Sequence, residues 1–81
     1  MDFPTKFTMK IVGAAKDDLE PIIIVALRNN KIDVERVSIA HRDSSAGKYT
    51  AFTAVFYAES QEQLDNIYRE LSGNPQVIMA L

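Results

Sequence analysis

The segment Lys48–Ala58 constrains the fold most, because aromatic, β-branched and small residues fill both of its faces. Successive side chains of a strand point to opposite sides of a sheet. One face therefore presents Phe52 and Phe56, and the other presents Tyr49 and Tyr57. A segment that is apolar on both faces is typical of the interior of a sheet. We predict an interior strand with one face covered by helices.

Three other segments are predicted strands, because apolar residues recur in them with the period of two that is typical of strands. They are Lys6–Gly13, Val34–Arg42 and Val77–Leu81, and in the last of them Val77, Met79 and Leu81 are predicted to share one face. The polar segment Asp43–Gly47 separates the second of them from Lys48–Ala58, and its glycine can adopt a positive φ. These two strands are therefore predicted to form an antiparallel hairpin.

Two segments, Asp18–Asn29 and Gln61–Ser72, carry apolar residues at helical spacing. Asp18 is the predicted N-cap of the first helix, because aspartate accepts a hydrogen bond from a free amide of the first turn. Ser60 and Gln63 form a capping-box signature at the start of the second helix. Both segments are predicted to be amphipathic helices.

The predicted element order is β-α-β-β-α-β, an α+β arrangement. Right-handed crossovers place both helices on one face of a four-stranded antiparallel sheet with the strand order 4-1-3-2. We therefore predict one ferredoxin-like sandwich over residues 1–81, with the second face of the sheet uncovered. The predicted core contains Phe7, Met9, Ile11, Leu19, Ile22, Ile23, Phe52, Phe56, Leu64, Ile67 and Leu71.

Composition narrows the class of protein. The chain has 81 residues, of which 47% are hydrophobic and 25% charged, and it has no cysteine. No segment approaches the roughly 18 apolar residues of a membrane span, and no signal-peptide pattern begins the chain. We predict a cytoplasmic protein that does not enter the membrane. The net charge of −2 gives no overall attraction to nucleic acid.

No residue pattern predicts a catalytic, cofactor or metal site. His41 is the only histidine, and no second ligand lies at metal-motif spacing. Ser44 or Ser45 with His41 and Asp43 would lie in one tight turn, which rarely gives the geometry of a catalytic triad. We therefore predict that the protein is not an enzyme and has no cofactor.

Two alternatives come from proteins with the same element order. Acylphosphatases hold phosphate in the loop after the first strand, which predicts a small hydrolase using Gly13–Lys16, although this loop has one glycine and no arginine. RNA-recognition domains stack bases on the open sheet face, where this chain would offer aromatic and basic side chains. The Lys/Arg-Gly-aromatic spacing of the RNA signature is missing, so a nucleic-acid partner is not expected. The side chains in question are Lys10, Arg36, Arg42, Tyr49 and Tyr57.

The end of the predicted hairpin, beside the open face, is the predicted binding surface. It combines cations, hydroxyl groups and an aromatic ring, a set suited to a small carboxylate ligand or an acidic protein partner. Val12, Val55, Tyr57 and Ile78 would leave apolar surface on the open face, which favours a homodimer. The candidate binding residues are Lys10, Arg42, Ser44, Ser45, Lys48 and Tyr49.

Three segments in this order and spacing resemble the YbeD-like family of small bacterial proteins of unknown function. They are Phe3–Lys10 followed by Gly13, then Ser44–Tyr49, and the terminal Val77–Leu81. The resemblance implies a fold similar to the ACT regulatory domains of amino-acid biosynthetic enzymes. It also implies a regulatory or ligand-binding role, with a link to lipoate metabolism, and carries over no catalytic residue.

Overall fold

The computed structural model describes residues 2–81, so the predicted domain begins one residue before the described part of the chain. Four antiparallel strands form one sheet in the order β2-β3-β1-β4, which confirms the predicted α+β topology. The elements are β1 (Thr5–Ala14), α1 (Glu20–Asn29), β2 (Ser38–Asp43), β3 (Tyr49–Ala58), α2 (Gln61–Ser72) and β4 (Val77–Ala80). Neither helix has the length and apolarity needed to cross a bilayer, among the residues described.

The core lies between one sheet face and the two helices. Met9 and Ile11 of β1 and Phe56 of β3 are at most 1% exposed. They pack in one cluster with buried residues of both helices, as predicted. Phe7 and Ile22 are only partly buried at its margin. The cluster also contains residues that the predicted core did not include: Ala26, Leu27, Ile32, Ala54, Ala58 and Val77.

Strand β2 is shorter than predicted, because Val34–Arg36 forms a 3-10 turn instead of extended chain. The Asp33 carboxylate accepts a hydrogen bond from the amide of Glu35 at 3.1 Å, and the Arg36 amide donates to the Asp33 carbonyl at 3.0 Å. Local bonds of this kind compete with strand pairing. The alternation over Val34–Arg42 therefore predicted four strand residues too many at its start, since β2 begins at Ser38.

Helix α1 begins one residue later than predicted, with Leu19 in place of Asp18 at the N-cap. Leu19 occupies the N-cap, since its carbonyl oxygen accepts the bond from the Ile23 amide at 2.9 Å. Asp18 still contributes, because its carboxylate accepts from the amide of Glu20 at 3.0 Å. Helix α2 spans Gln61–Ser72, as predicted.

Strand β4 contains an irregularity that the sequence pattern did not predict. Met79 pairs with Val12, but Val77 pairs with Gly13, so one extra residue of β4 is inserted between the two pairs. Ile78 lies at this point and is 54% exposed. Because an extra residue resets the alternation, Val77 faces the core whereas Met79 faces away from it. The simple alternation through Val77, Met79 and Leu81 is therefore wrong.

Candidate functional site

In the described part of the chain, both helices pack on one face of the sheet, and we call the other face the open face. Paired residues on neighbouring strands point to the same side of the sheet, so the register defines its members. They are Lys6, Thr8, Lys10, Val12 and Ala14 of β1, Ser38, Ala40 and Arg42 of β2, Tyr49, Ala51, Thr53, Val55 and Tyr57 of β3, and Met79 and Leu81 at β4.

Residues of the open face form rows across the strands. One row joins Arg42, Ala51, Val12 and Met79, and the adjacent row joins Ala40, Thr53 and Lys10 to Leu81. Leu81 belongs to the second row because it exchanges backbone hydrogen bonds of 2.7 and 2.8 Å with Lys10. Small residues therefore occupy the middle of the face, on β2 and β3.

Tyrosines stand at the two ends of β3. Tyr49 is 48% exposed and Tyr57 is 50% exposed. They are eight residues apart, which at the rise of a strand is about 27 Å. The rings are too far apart to stack successive bases of one nucleic-acid strand, and this geometry weighs against the RNA-binding alternative.

The charge on the open face is positive. Lys6, Lys10 and Arg42 occupy three of its strand positions, and all three are exposed. At the Tyr57 end, the Arg36 guanidinium carbon lies 5.3 Å from the centre of the Tyr57 ring, within the range of a cation–π contact. Within residues 2–81, none of the strand positions on this face carries aspartate or glutamate. The overall charge of −2 therefore conceals a basic sheet face.

Apolar side chains accompany these cations. Val12 and Val55 are partly buried on neighbouring strands. Met79 is 46% exposed and Leu81 is 64% exposed. Sequence reasoning placed Ile78 on this face and missed Met79 and Leu81, because nothing in the local pattern signals the extra residue in β4. Together these side chains leave an apolar patch with lysine and arginine at its sides.

The structure separates the predicted binding residues into two groups. Arg42 and Tyr49 lie in successive rows of the open face, and Lys10 lies one row beyond Arg42. The Ser44 hydroxyl oxygen, in contrast, accepts from the amides of Lys48 and Tyr49 at 3.2 and 3.1 Å, so it holds the hairpin turn together. The remaining residues, Ser45 and Lys48, are exposed in that turn, whose Gly47 has a φ of 69°.

The loop Gly13–Lys16 packs closely in a manner that explains its glycine. A Cβ atom at Gly13 would lie 2.6 Å from the Leu19 Cδ1 atom, so close packing against α1 requires glycine there. The amide of Ala15 donates to the Lys48 carbonyl oxygen, and that of Asp17 donates to the Ala14 carbonyl oxygen, each at 2.9 Å. These amides are committed to the fold, which leaves few of them to hold a phosphate group.

His41 lies on the helix side of the sheet edge, 5.7 Å from the Phe52 ring between ring centres. A shallow cavity of about 370 Å³ separates it from the start of α1 and is lined by Lys16, Asp17 and Asp18. Within residues 2–81, no three side chains of the metal-binding types are grouped so as to hold an ion.

A second concavity adjoins the Tyr57 end of the open face. Its volume is about 360 Å³, and its lining combines basic, acidic and apolar side chains: Pro4, Lys31, Ile32, Asp33, Arg36, Tyr57 and Glu59. Sequence reasoning missed this concavity, because it forms only where the end of α1 meets the 3-10 turn and β3. A third, apolar groove of about 270 Å³ lies between α1 and α2.

Structures of known proteins share this fold. The solution structure of protein HP0495 from H. pylori superimposes with a TM-score of 0.81 over 100% of this chain and 85% of that one, at 13% sequence identity. The C-terminal domain of the MgtC protein from Mycobacterium tuberculosis gives a TM-score of 0.63 over 100% of this chain and 88% of that one, also at 13% identity. Identities this low show similarity of fold alone.

Sequence relatives identify the family. A chain from Paraburkholderia phytofirmans described as a UPF0250 protein is 40% identical over 82 residues, covering 99% of this chain and 90% of its own length. A UPF0250 protein from Chromobacterium violaceum is 38% identical, covering 99% of this chain and 90% of its own length. One from Neisseria gonorrhoeae is 37% identical, covering 100% of this chain and 89% of its own length. The family profile described as "Protein of unknown function (DUF493)" matches residues 1–81. The resemblance to the YbeD-like family is thus confirmed, and the chain belongs to the DUF493 family of small bacterial proteins.

Proposed function

We propose that the protein is a non-catalytic binding module of the cytoplasm that acts through its open face. The observation that carries the proposal is the segregation of charge, with basic and apolar side chains on the open face and no acidic side chain at any strand position of it, within residues 2–81. Exposed apolar surface bounded by one sign of charge favours a partner of the opposite charge. The same face is where a regulatory ligand would bind.

The end of the face at Arg42 and Tyr49 is the proposed position of a small carboxylate ligand. The Arg42 guanidinium can donate two hydrogen bonds to one carboxylate, and Lys48 in the adjoining hairpin turn adds a second positive charge. The regulatory role and the connection to lipoate metabolism that the family resemblance implies belong to this same proposal. Lipoate fits its chemistry, since it joins a carboxylate to an apolar chain.

A titration of the labelled protein with lipoate and with amino acids, followed by two-dimensional NMR, tests the ligand. We expect amide shifts at Arg42, Lys48 and Tyr49 that saturate, and an affinity at least about tenfold weaker in Arg42→Ala/Lys48→Ala. Lys16→Ala/Arg28→Ala removes the same charge from elsewhere on the molecule and should leave the affinity unchanged. Equal loss in both double variants would contradict this position for the site.

The hydrolase alternative has its own test. A screen of acyl-phosphate and ester substrates should show no turnover that depends on the Gly13–Lys16 loop. Hydrolysis that Lys16→Ala abolishes, while Arg28→Ala retains it, would replace the binding proposal with an enzymatic one.

A further inference from the structure

We infer that the open face is a docking surface for an acidic amphipathic helix of a partner protein. The inference rests on the proposed binding function and names the partner's chemistry. It begins from the strand positions around β3, whose own side chains are small or apolar at Ala51, Thr53 and Val55. These three residues form the floor on which a helix would lie.

The spacing of the cations matches the width of a helix. Lys6 and Lys10 project from β1 on one side of this floor, and Arg42 projects from β2 on the other. Because β1 and β2 are each one strand away from β3, the two flanks are about 9.6 Å apart. An α-helix with its side chains is about 10–12 Å across. A helix lying along β3 would therefore have a basic side chain on each flank.

The length of the floor is also defined. Tyr49 and Tyr57 bound it at a separation of about 27 Å, which corresponds to about 18 residues of helix. Apolar residues on one stripe of such a helix would contact Ala51 and Val55 of β3 and the neighbouring Val12 of β1. Glutamate or aspartate beside that stripe would pair with Lys6, Lys10 and Arg42. Helix-on-sheet packing already covers the opposite face of the same sheet, so this geometry is one that the sheet supports.

The charge distribution favours such a helix over a second copy of the chain. A two-fold axis through the middle of the open face would bring identical surfaces together, so Lys10 and Arg42 would find no acidic side chain at any strand position of the opposing face, within residues 2–81. Like charges brought together across an interface disfavour association. The homodimer predicted from the apolar side chains is therefore the less favourable occupant of this face.

The test uses a designed peptide of 18 residues with leucine at positions i, i+3, i+4 and i+7 and glutamate at most others, labelled with fluorescein. Fluorescence anisotropy at about 0.15 M salt should show saturable binding. The same peptide with lysine in place of glutamate should not bind, and neither should a version with two central prolines, which cannot form the helix. Amide shifts on NMR should fall on β1, β2 and β3.

Charge reversal in the protein provides the decisive comparison. Lys10→Glu/Arg42→Glu should weaken the acidic peptide at least about tenfold and should gain affinity for the lysine peptide. Lys16→Glu/Arg28→Glu carries the same charge change away from the open face and should do neither beyond about twofold. If circular dichroism shows that charge reversal impairs folding, Lys10→Ala/Arg42→Ala replaces it. This variant should also bind the acidic peptide more weakly than Lys16→Ala/Arg28→Ala does, with a smaller change in affinity.

Several results would overturn the inference. Equal binding of the proline-containing peptide would show that helix formation is not recognised, and shifts confined to the groove between α1 and α2 would place the partner elsewhere. If single-stranded RNA with the same total negative charge displaced the peptide, the face would bind polyanions in general. A dimer in sedimentation that the peptide cannot dissociate would assign the face to a second copy. Saturable binding of small carboxylates with no peptide binding would end this inference but leave the proposed function intact, and failure of both would end both.

Discussion

The Gln63 side-chain amide nitrogen donates a hydrogen bond of 2.8 Å to the main-chain carbonyl oxygen of Asn30. Its amide oxygen accepts from the main-chain amide of Glu59, also at 2.8 Å. One side chain therefore satisfies the amide of Glu59, just before the N-cap of α2, and a carbonyl at the end of α1. The capping signature predicted the bond from the Gln63 amide to the Ser60 hydroxyl, but the Gln63 side chain reaches the amide of Glu59 instead of that of Ser60. Only the packing of the two helices creates the bond to Asn30.

Replacement of Gln63 by alanine should lower the free energy of unfolding by about 1–2 kcal/mol, because two main-chain groups lose their partner. Urea denaturation monitored by circular dichroism measures the change. Gln61→Ala is the matched control, since Gln61 bonds only the exposed Asp65 at i+4, and it should cost less than about 0.5 kcal/mol. Equal effects of the two substitutions would refute the bridging role.

The two glycines Gly13 and Gly47 should respond differently to substitution. Gly13→Ala would place a Cβ atom 2.6 Å from Leu19 Cδ1 and 3.1 Å from the Gln76 carbonyl oxygen, so we expect a loss of about 1–3 kcal/mol from overpacking. In a Leu19→Ala background the same change should cost less, because the clash is removed.

Gly47 has a φ of 69° and no atom within 4 Å of the position a Cβ would take. Gly47→Ala should therefore cost about 1 kcal/mol from backbone strain alone. Gly47→Asn should recover part of that loss, because asparagine tolerates the left-handed region, whereas Gly13→Asn should be worse than Gly13→Ala. Thermal melts of the four variants rank their melting temperatures. If asparagine were worse than alanine at Gly47, or better than alanine at Gly13, positive φ and close packing would not be the reasons for these glycines.

Lys31 occupies a position that usually belongs to glycine. Its φ is 66°, and the amides of Lys31 and Ile32 donate to the carbonyl oxygens of Arg28 and Leu27 in the bond pattern of a Schellman motif. Lys31→Gly should raise the free energy of unfolding by about 0.5–1 kcal/mol, since relief of strain exceeds the entropy that glycine adds to the unfolded chain. Lys31→Ala keeps the Cβ atom and should give no such gain in the same urea titrations.

Tyr68 should make stability depend on alkaline pH. Burial raises the pKa of its phenol above the ordinary 10.0, and its ring meets Phe7 edge-on with centres 6.3 Å apart. As the pH rises past about 10, the unfolded state loses this proton before the folded state does. The contribution of Tyr68 to the free energy of unfolding should therefore be fully present below that pH. It should be lost as the pH rises through the folded-state pKa.

In Tyr68→Phe this part of the alkaline decline should disappear. Tyr49→Phe removes an exposed hydroxyl and serves as the control for substitution itself. Urea denaturation from pH 8 to about 11.5 compares the three proteins. Parallel curves for wild type and Tyr68→Phe would contradict the assignment.

The sequence by itself determined the strand at β3, both helices and the order of elements. Alternation between Phe52, Ala54, Phe56 and their outward neighbours is a local property of the chain, and so are the Ser60 cap and the glycine turn at Gly47. These signals agree with one topology, which the sheet order confirms. The predicted hairpin residues Arg42 and Tyr49 also lie on the open face, since their place follows from alternation alone.

Tertiary structure decided the composition of the open face at its fourth strand. The extra residue in β4 turns Val77 toward the core and Met79 toward Val12, and the pairing of Lys10 with Leu81 adds a second apolar side chain to that face. A one-residue shift exchanges the two faces of a strand, and no local pattern records it. The bond between Gln63 and Asn30 likewise joins residues 33 apart in the chain. Such contacts depend on how the elements pack, which is why local periodicity predicted the elements and not these relationships between them.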